Sequence, residues 1–318
     1  MKNQKYIPVV WKISALQLDN KTLISGVLLK DTPFLYNKQI GKFKNLQKVI
    51  KTYFIPVYAN KKISINIDDH IIHTTTDHHG GFSVVTDYLF DGNLTIKTND
   101  HTKPLVILQT YPVLFKNTES PFDVISDIDD TILVSYTADF IKRIGTVIIT
   151  PPSKRKVIDF TQKLFQEFKK YDARVLYVSK SESNLFAMLT SFIEHNNLPK
   201  GKLILTPYLS ISQLFYPKKG IHYKFDHIKF ILNHTKTKKY ILIGDDSQKD
   251  MEIYSQIATE FPERILKIYI RQTKRKILPY QKKMWQKLNS TSVPTKYFDD
   301  RSNIDLKNEF RQLKNTLL

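Results

Sequence analysis

Hydrophobic positions change their rhythm near residue 120 of this 318-residue chain. Before that point, short apolar runs alternate with turn residues: Thr22 to Leu29, Lys62 to Ile72, Gly81 to Leu89, Leu94 to Thr98 and Leu105 to Thr110. Val, Ile, Thr, Tyr and Phe dominate these runs, and branched and aromatic side chains suit a pleated surface. His78-His79-Gly80-Gly81 and Asp91-Gly92 stand where hairpin turns are expected. Short strands with turn signals about every ten residues predict a small β-sandwich. One helical insertion interrupts it between Gly41 and Phe54, where Phe43, Leu46, Ile50 and Phe54 recur at helical spacing among Lys42, Lys44, Lys48 and Lys51.

Beyond residue 120 the pattern becomes strand, helix, strand, helix. Val124–Ser126, Arg174–Ser179, Leu203–Thr206, Tyr240–Gly244 and Ile265–Ile270 are nearly all-apolar runs, as in parallel strands buried on both faces. Amphipathic stripes lie between them: Val157, Phe160, Leu164, Phe165 and Phe168 with Ser153 as cap; Leu185, Met188, Leu189, Phe192 and Ile193; and Met251, Tyr254, Ile257 and Ala258. The expected fold is therefore α/β, a Rossmann-type parallel sheet with flanking helices at 120–318, preceded by a smaller β-sandwich-like domain at 1–119. The stretch after Arg271 reads as a helical, basic tail.

Composition narrows the chemistry. With 41% hydrophobic and 25% charged residues the chain is not of the disordered type, and with no cysteine it has no disulfide, thiolate zinc site or cysteine nucleophile. Residues 1–8 lack the apolar core of a signal peptide and no apolar run reaches the length of a membrane span, so a cytoplasmic location is expected. Forty-nine Lys and Arg against 30 Asp and Glu leave a net charge of +19. That surplus suits phosphate groups, an acidic membrane surface or nucleic acid, although solubility alone also accounts for it.

The strongest chemical signal is Asp127-Ile128-Asp129-Asp130-Thr131, directly after an apolar strand. Carboxylates this close repel one another unless a cation neutralises them, and Mg²⁺ does so with oxygen ligands. On an extended chain Asp127 and Asp129 point the same way, so one can attack while the other serves as acid and then base. Gly244-Asp245-Asp246-Ser247-Gln248-Lys249-Asp250 follows another buried strand and supplies further carboxylates. Ser179 closes a strand and is expected to open a helix, whose free N–H groups attract anions, and Lys224 begins a helical stretch before the last acidic cluster.

These segments carry a family resemblance. Val124 to Thr131 resembles the first motif of the haloacid dehalogenase superfamily of phosphatases. More narrowly, ISDIDDTI, LYVSKSESNL, ILIGDDSQKDMEIY and FPERILKIYIR resemble the catalytic domain of the actin-patch-protein type of phosphatidate phosphatase, over roughly residues 120–272. The resemblance implies that Asp127 is the nucleophile forming an aspartyl-phosphate and Asp129 the acid/base. It implies that Ser179 holds a phosphate oxygen and Lys224 offsets the phosphoryl charge. Asp245 and Asp250 would complete the Mg²⁺ site with Asp127 and the backbone carbonyl of Asp129. Lys229 is the rival to Lys224 for the phosphate-binding role.

Two positions depart from the family pattern. Glu182-Ser183 stand after Ser181 where the family has Pro-Trp, which argues against an apolar lipid contact there, and Asp246 replaces a serine in Gly-Asp-Ser. Phosphatidate or a similar phospholipid leads as substrate. A nucleic-acid end or a phosphoprotein is the alternative, and a non-catalytic module binding an anionic surface is the reading from another class. The short spacings Ile132 to Pro152 and Pro207 to Gly220 leave no room for a large cap. By resemblance to capless relatives, an open site suits a substrate presented on something large. Two basic stretches, Lys42 to Lys51 with Phe43 and Phe54, and Arg271, Lys274, Arg275, Lys276, Lys282, Lys283 and Lys287 with Tyr280 and Trp285, suit peripheral contact with an anionic membrane. The competing expectation is that the aromatics pack inward while the lysines stay hydrated. The histidine-rich segment Asp69-His70 to His78-His79 reads as two strands joined by a Gly80-Gly81 turn rather than as a second metal site.

Overall fold

The computed structural model describes residues 8–33, 42–100, 103–132, 159–215, 222–299, 302 and 304–317. The chain divides into two compact units: Met1–Asn117 with Ser181–Ser191 and Leu205–Lys219, and Thr118–Lys180 with Phe192–Ile204 and Gly220–Leu318.

The first unit is a sandwich of two sheets. One has the order β5-β2-β1-β7, with β8 also on β1, built from β1 (Val9–Gln17), β2 (Thr22–Leu29), β5 (Gly81–Thr86), β7 (Val106–Ile107) and β8 (Leu114–Phe115). The other is antiparallel, β4-β3-β6, from β3 (Lys62–Ile67), β4 (His70–Thr75) and β6 (Leu94–Thr98). Val10, Ile13, Ile24 and Leu28 from the first sheet share one core with Ile63, Ile65, Ile67 and Ile96 from the second. Alternation along β3 sends those isoleucines inward while its polar residues stay out.

Several expectations for this half need correction. The run Lys62 to Ile72 is two strands, because Asp68, at φ 48°, opens a two-residue turn that pairs Ile67 with His70. Neither His78–Gly81 nor Asp91–Gly92 closes a hairpin; each carries the chain from one sheet to the other. At the first, Asp77 Oδ1 accepts hydrogen bonds from the His79 and Gly81 amides at 2.7 and 2.8 Å. Gly80 sits there at φ 70°, where a Cβ would lie 2.7 Å from the Leu28 carbonyl oxygen. Among the described residues no cation-ligating cluster forms around the histidines. Strand β1 escaped the pattern reading because it is buried almost throughout and bulges at Lys12, at φ 53°, so it never alternates.

Helix α1 (Lys42–Thr52) forms where expected but turns a different face inward. Val49, Thr52 and Tyr53 are buried, whereas Ile50 is 40% and Phe54 62% exposed. Two returning segments explain that choice, since the Ile211 amide donates to the Tyr53 carbonyl at 3.0 Å and the Tyr208 hydroxyl donates to the Thr52 carbonyl. These segments are also tied to each other: Asn184 spans the Leu209 backbone with bonds of 2.9 and 2.8 Å. Phe186 meets Trp11 edge-on at 5.2 Å.

In the six-stranded sheet, β9 (Phe122–Ser126), β10 (Val175–Glu182), β11 (Lys202–Thr206), β12 (Lys239–Asp245), β13 (Ile265–Arg271) and β14 (Thr295–Phe298) take the order β11-β10-β9-β12-β13-β14. Counted from β9 this is the 3-2-1-4-5-6 order of a doubly wound α/β fold. Strand β9 runs parallel to β10 and β12, β12 to β13, and β13 to β14. Every residue of β9 and β13 is buried, which is why they read as nearly all-apolar runs. The α/β sheet and the smaller sandwich before it are the fold class expected. The flanking helices are α2 (Asp159–Lys170), α3 (Phe186–His195), α4 (Tyr223–His234), α5 (Asp250–Glu260), α6 (Pro279–Asn289) and α7 (Leu306–Leu317).

The stretch after Arg271 is not purely helical, since β14 adds the sixth strand; four residues are too few to establish a period. Arg271 is itself buried rather than a surface cation. Ser153, Val157 and the connection from residue 133 to Pro152 lie outside the described residues. No helix among the described residues is long and apolar enough to cross a membrane.

Candidate active site

All the acidic motifs end at one edge of the sheet because parallel strands deliver their carboxyl ends together. Asp127 follows β9, Asp245 closes β12, and Asp250 begins α5 after the turn between them. One oxygen from each of the three lies within 4.8 Å of the others, and all three residues are buried. Gly244 makes this approach possible, since a Cβ there would lie 2.6 Å from Asp250 Oδ2. Lys224, in the first turn of α4, places its fully buried ammonium 3.0 Å from Asp127 Oδ1 and 2.6 Å from Asp250 Oδ1. Lys229 is elsewhere, paired with Glu260.

Asp129 is buried but lies outside the converging trio; Ser179 Oγ donates to its Oδ2 at 3.2 Å. Ser179 does not open a helix as the sequence suggested, because β10 continues to Glu182. The chain turns sharply at Asp130, at φ 55°, and Arg271 Nη1 donates to its carbonyl at 2.7 Å. Asp245 is oriented by the Ser247 and Gln248 amides on Oδ1, at 2.5 and 3.2 Å, and by the Thr131 hydroxyl 3.4 Å from Oδ2.

Burial raises the Asp127 carboxyl well above its ordinary value; Lys224 opposes that rise, and Asp250, Asp245 and Asp129 add to it. Burial and Asp250 push Asp245 up to about 7. For Lys224, burial alone would lower the pKa, but Asp127 and Asp250 outweigh it and hold the ammonium charged. Three carboxylates around one ammonium leave an excess of negative charge, and neither oxygen of Asp127 has a hydrogen-bond partner. A buried, all-oxygen donor set with uncompensated charge fits a hard divalent cation.

Sequence reasoning named Asp127, Asp129, Ser179, Lys224, Asp245 and Asp250 and missed their supports. Lys180 is half-buried beside the cluster, where burial and Lys224 lower its pKa while Asp250 and Asp127 oppose them. Only its place next to Ser179 could have marked it. Arg271 gave no local signal, because its partner, Asp130, lies 141 residues away. Both departures from the family pattern lie in the interior. Glu182 is fully buried, and Ser183 Oγ donates to the Thr206 carbonyl at 2.8 Å. Asp246 is also fully buried, and its Oδ1 accepts from the Thr273 amide and hydroxyl at 2.9 and 2.6 Å while its Oδ2 accepts from Tyr297 at 2.5 Å.

Comparison with known proteins supplies a family. Residues 122–272 match the family described as phosphatidate phosphatase APP1, catalytic domain. Phosphatidate phosphatase APP1 of Saccharomyces cerevisiae is 33% identical over 206 residues, 62% of this chain and 34% of that protein. An uncharacterized protein of Schizosaccharomyces pombe is 27% identical over 256 residues, 78% of this chain and 41% of that one. The chain therefore spans well under half the length of either relative. Solved structures are more distant. Cytosolic 5'-nucleotidase IIIB bound to cytidine aligns with a TM-score of 0.34 at 11% identity, over 62% of this chain and 85% of that one. Class C acid phosphatase from Bacillus anthracis with tungstate bound aligns with a TM-score of 0.29 at 12% identity, over 63% and 81%. All six residues of the acidic and phosphate-binding motifs fall inside the matched stretch, residues 122–272, which is similar to the phosphatidate phosphatase APP1 catalytic domain.

Proposed function

We propose that this protein is a Mg²⁺-dependent phosphomonoester hydrolase that works through an aspartyl-phosphate on Asp127, with phosphatidate or a similar phospholipid as substrate. One observation carries the reading: three buried carboxylates from separate elements converge within 4.8 Å of one another, and the buried Lys224 ammonium pairs with two of them, Asp127 and Asp250.

In this reading Asp127, Asp245, Asp250 and the Asp129 backbone carbonyl hold Mg²⁺, which when bound supplies charge that draws the phosphoryl group in and favours attack. An Asp127 oxygen attacks phosphorus as the ester oxygen leaves. Asp129 gives its proton to that leaving oxygen, then takes one from the water that hydrolyses the acyl phosphate, so it ends as it began. Ser179 turns its hydroxyl from Asp129 to a phosphate oxygen. Lys224, buried and charged, stabilises the anionic group without needing to reorganise.

The catalytic-domain match supports phosphatidate over other phosphomonoesters. The main objection from the sequence, a carboxylate at 182 beside an apolar substrate, weakens because Glu182 is fully buried. A cytoplasmic protein visiting membranes peripherally is consistent with this substrate. The test is phosphate release from phosphatidate in mixed micelles and from a soluble aryl phosphate, each with Mg²⁺ or with chelator. Metal-dependent release from both is expected. Turnover of the aryl phosphate alone would move the substrate to a nucleic-acid end or phosphoprotein. Release from neither substrate would overturn the enzyme and leave a binding module.

A further inference from the structure

The segment after β13 builds a feature the chemistry above does not use. From Gln272 to Asn289 there are six Lys or Arg and no Asp or Glu. All six side chains are exposed, and among the described residues none is paired with a carboxylate. Two apolar groups stand out among them, Ile277 at 42% and Tyr280 at 53% exposed. The backbone beneath is firmly held. Asp246 takes Thr273 on its carboxylate and Gln281 Nε2 on its carbonyl at 2.9 Å, and the Leu278 amide donates to Gln281 Oε1 at 2.8 Å. Both ends of the loop 272–281 are thus fastened to the residue that follows Asp245, at the carboxyl edge of the sheet where the acidic cluster lies.

We infer that this loop, with Lys274, Arg275, Lys276, Ile277 and Tyr280, is a docking surface for an anionic lipid bilayer. The inference takes its purpose from the phosphatase reading, since it would set the edge of the sheet that carries the acidic cluster against the surface that presents a phospholipid headgroup. Cations without acidic neighbours are drawn to a negative leaflet, and an aliphatic and an aromatic tip suit the boundary between headgroups and acyl chains. The apolar pair favours a membrane over nucleic acid, because a phosphate backbone rewards the charges but gives Ile277 nothing to enter. Trp285 is not part of this surface, since its ring stacks on Tyr297 at 4.8 Å.

Flotation of the full chain with vesicles tests the proposal: phosphatidylcholine alone against phosphatidylcholine mixed with phosphatidylserine, which offers charge without being the proposed substrate. The protein should float with the anionic vesicles and not the neutral ones. The triple variant Lys274→Gln, Arg275→Gln, Lys276→Gln should bind about a hundredfold more weakly. The pair Ile277→Ser, Tyr280→Ser should lose several-fold with its charge intact. These side chains are exposed, so melting temperatures equal to the parent's are the check on folding. Unchanged flotation of the triple variant overturns the surface. Binding to single-stranded RNA that exceeds binding to vesicles and ignores the Ile277 and Tyr280 changes replaces it with a nucleic-acid site. A parent protein that floats but releases no phosphate from an aryl ester would fail the enzyme reading and leave the docking surface standing.

Discussion

Strand β9 carries a buried aspartate near its start and another just past its end, and the two are treated in opposite ways. Asp123 faces Arg174, whose Nε lies 3.3 and 3.1 Å from its two oxygens and whose Nη2 donates at 2.6 Å. Both side chains are nearly inaccessible and the charges balance. Asp127 is equally buried, yet the cation paired with it, Lys224 at 3.0 Å, is shared with Asp250. Removing a charge from water costs several kcal/mol unless close partners offset it. The fold gives Asp123 a cation of its own, whereas Asp127 shares Lys224 with Asp250 in a crowd of carboxylates, so the first aspartate holds neighbouring strands together while the second is only partly offset.

The sharpest way to break this comparison is to neutralise each aspartate's site in turn. Asp127→Asn keeps the shape but removes the nucleophile, and turnover should fall by roughly four or more orders of magnitude. Melting temperature without metal should hold or rise, because one of the crowded carboxylates loses its charge. A variant that retains turnover would show that phosphorus is attacked by another group.

Arg174→Met should behave in the reverse manner. It strands a buried Asp123 and should cost about 3–5 kcal/mol of stability, measured by denaturant unfolding. Adding Asp123→Leu should recover most of that loss, and turnover per folded molecule should stay near the parent's. Loss of turnover without loss of stability would mean that the two ends of β9 are not independent.

What the sequence made legible follows the same division. Asp127, Asp129, Ser179, Lys224, Asp245 and Asp250 stood out because chemistry gathers them beside apolar strands, and the strands announced themselves by being buried on both faces. Asp123 and Arg174 lie 51 residues apart, and nothing local says that they meet. The sandwich was harder to read in detail. Turn residues at His78–Gly81 and Asp91–Gly92 were visible, but whether a turn closes a hairpin or crosses between sheets depends on pairings far along the chain. Helix α1 shows the limit of periodicity: Ile50 and Phe54 fit one stripe, while the inward face is set by Tyr208 and Ile211, more than 150 residues later.

A smaller effect should come from protons competing with metal. With Asp245 at about 7 in the fold against an ordinary 3.8, the folded chain holds more protons than the unfolded one between those values. Without metal, this group's contribution to stability is therefore present in acid and lost as pH rises through about 7. A divalent cation needs the deprotonated carboxylate. Saturating Mg²⁺ should stabilise the protein by about 3 kcal/mol at a hundred times its dissociation constant, and less at pH 6 than at pH 8. Thermal melts at both pH values, with and without Mg²⁺, measure this. Arg174→Met should show the same metal response as the parent, whereas Asp245→Asn should show little. A metal shift that grows as pH falls would exclude Asp245 as a ligand.

Asp246 offers the finest test, because it sits next to Asp245 in the chain yet resembles Asp123 in its bonding. Its carboxylate is fully buried and accepts from Thr273 twice and from Tyr297 once, so proximity to the cluster and satisfaction of its oxygens make opposite predictions. If satisfaction decides the role, Tyr297→Phe should cost about 1–2 kcal/mol by removing one donor from a buried charge. It should leave turnover of a soluble aryl phosphate within about twofold, since Asp245 keeps its own bonds to the Ser247 and Gln248 amides. Urea unfolding and the rate at saturating Mg²⁺ separate the two outcomes. A large fall in rate with unchanged stability would mean that Asp246 shares in metal binding, and that neighbourhood rather than bonding marks the working carboxylates of this fold.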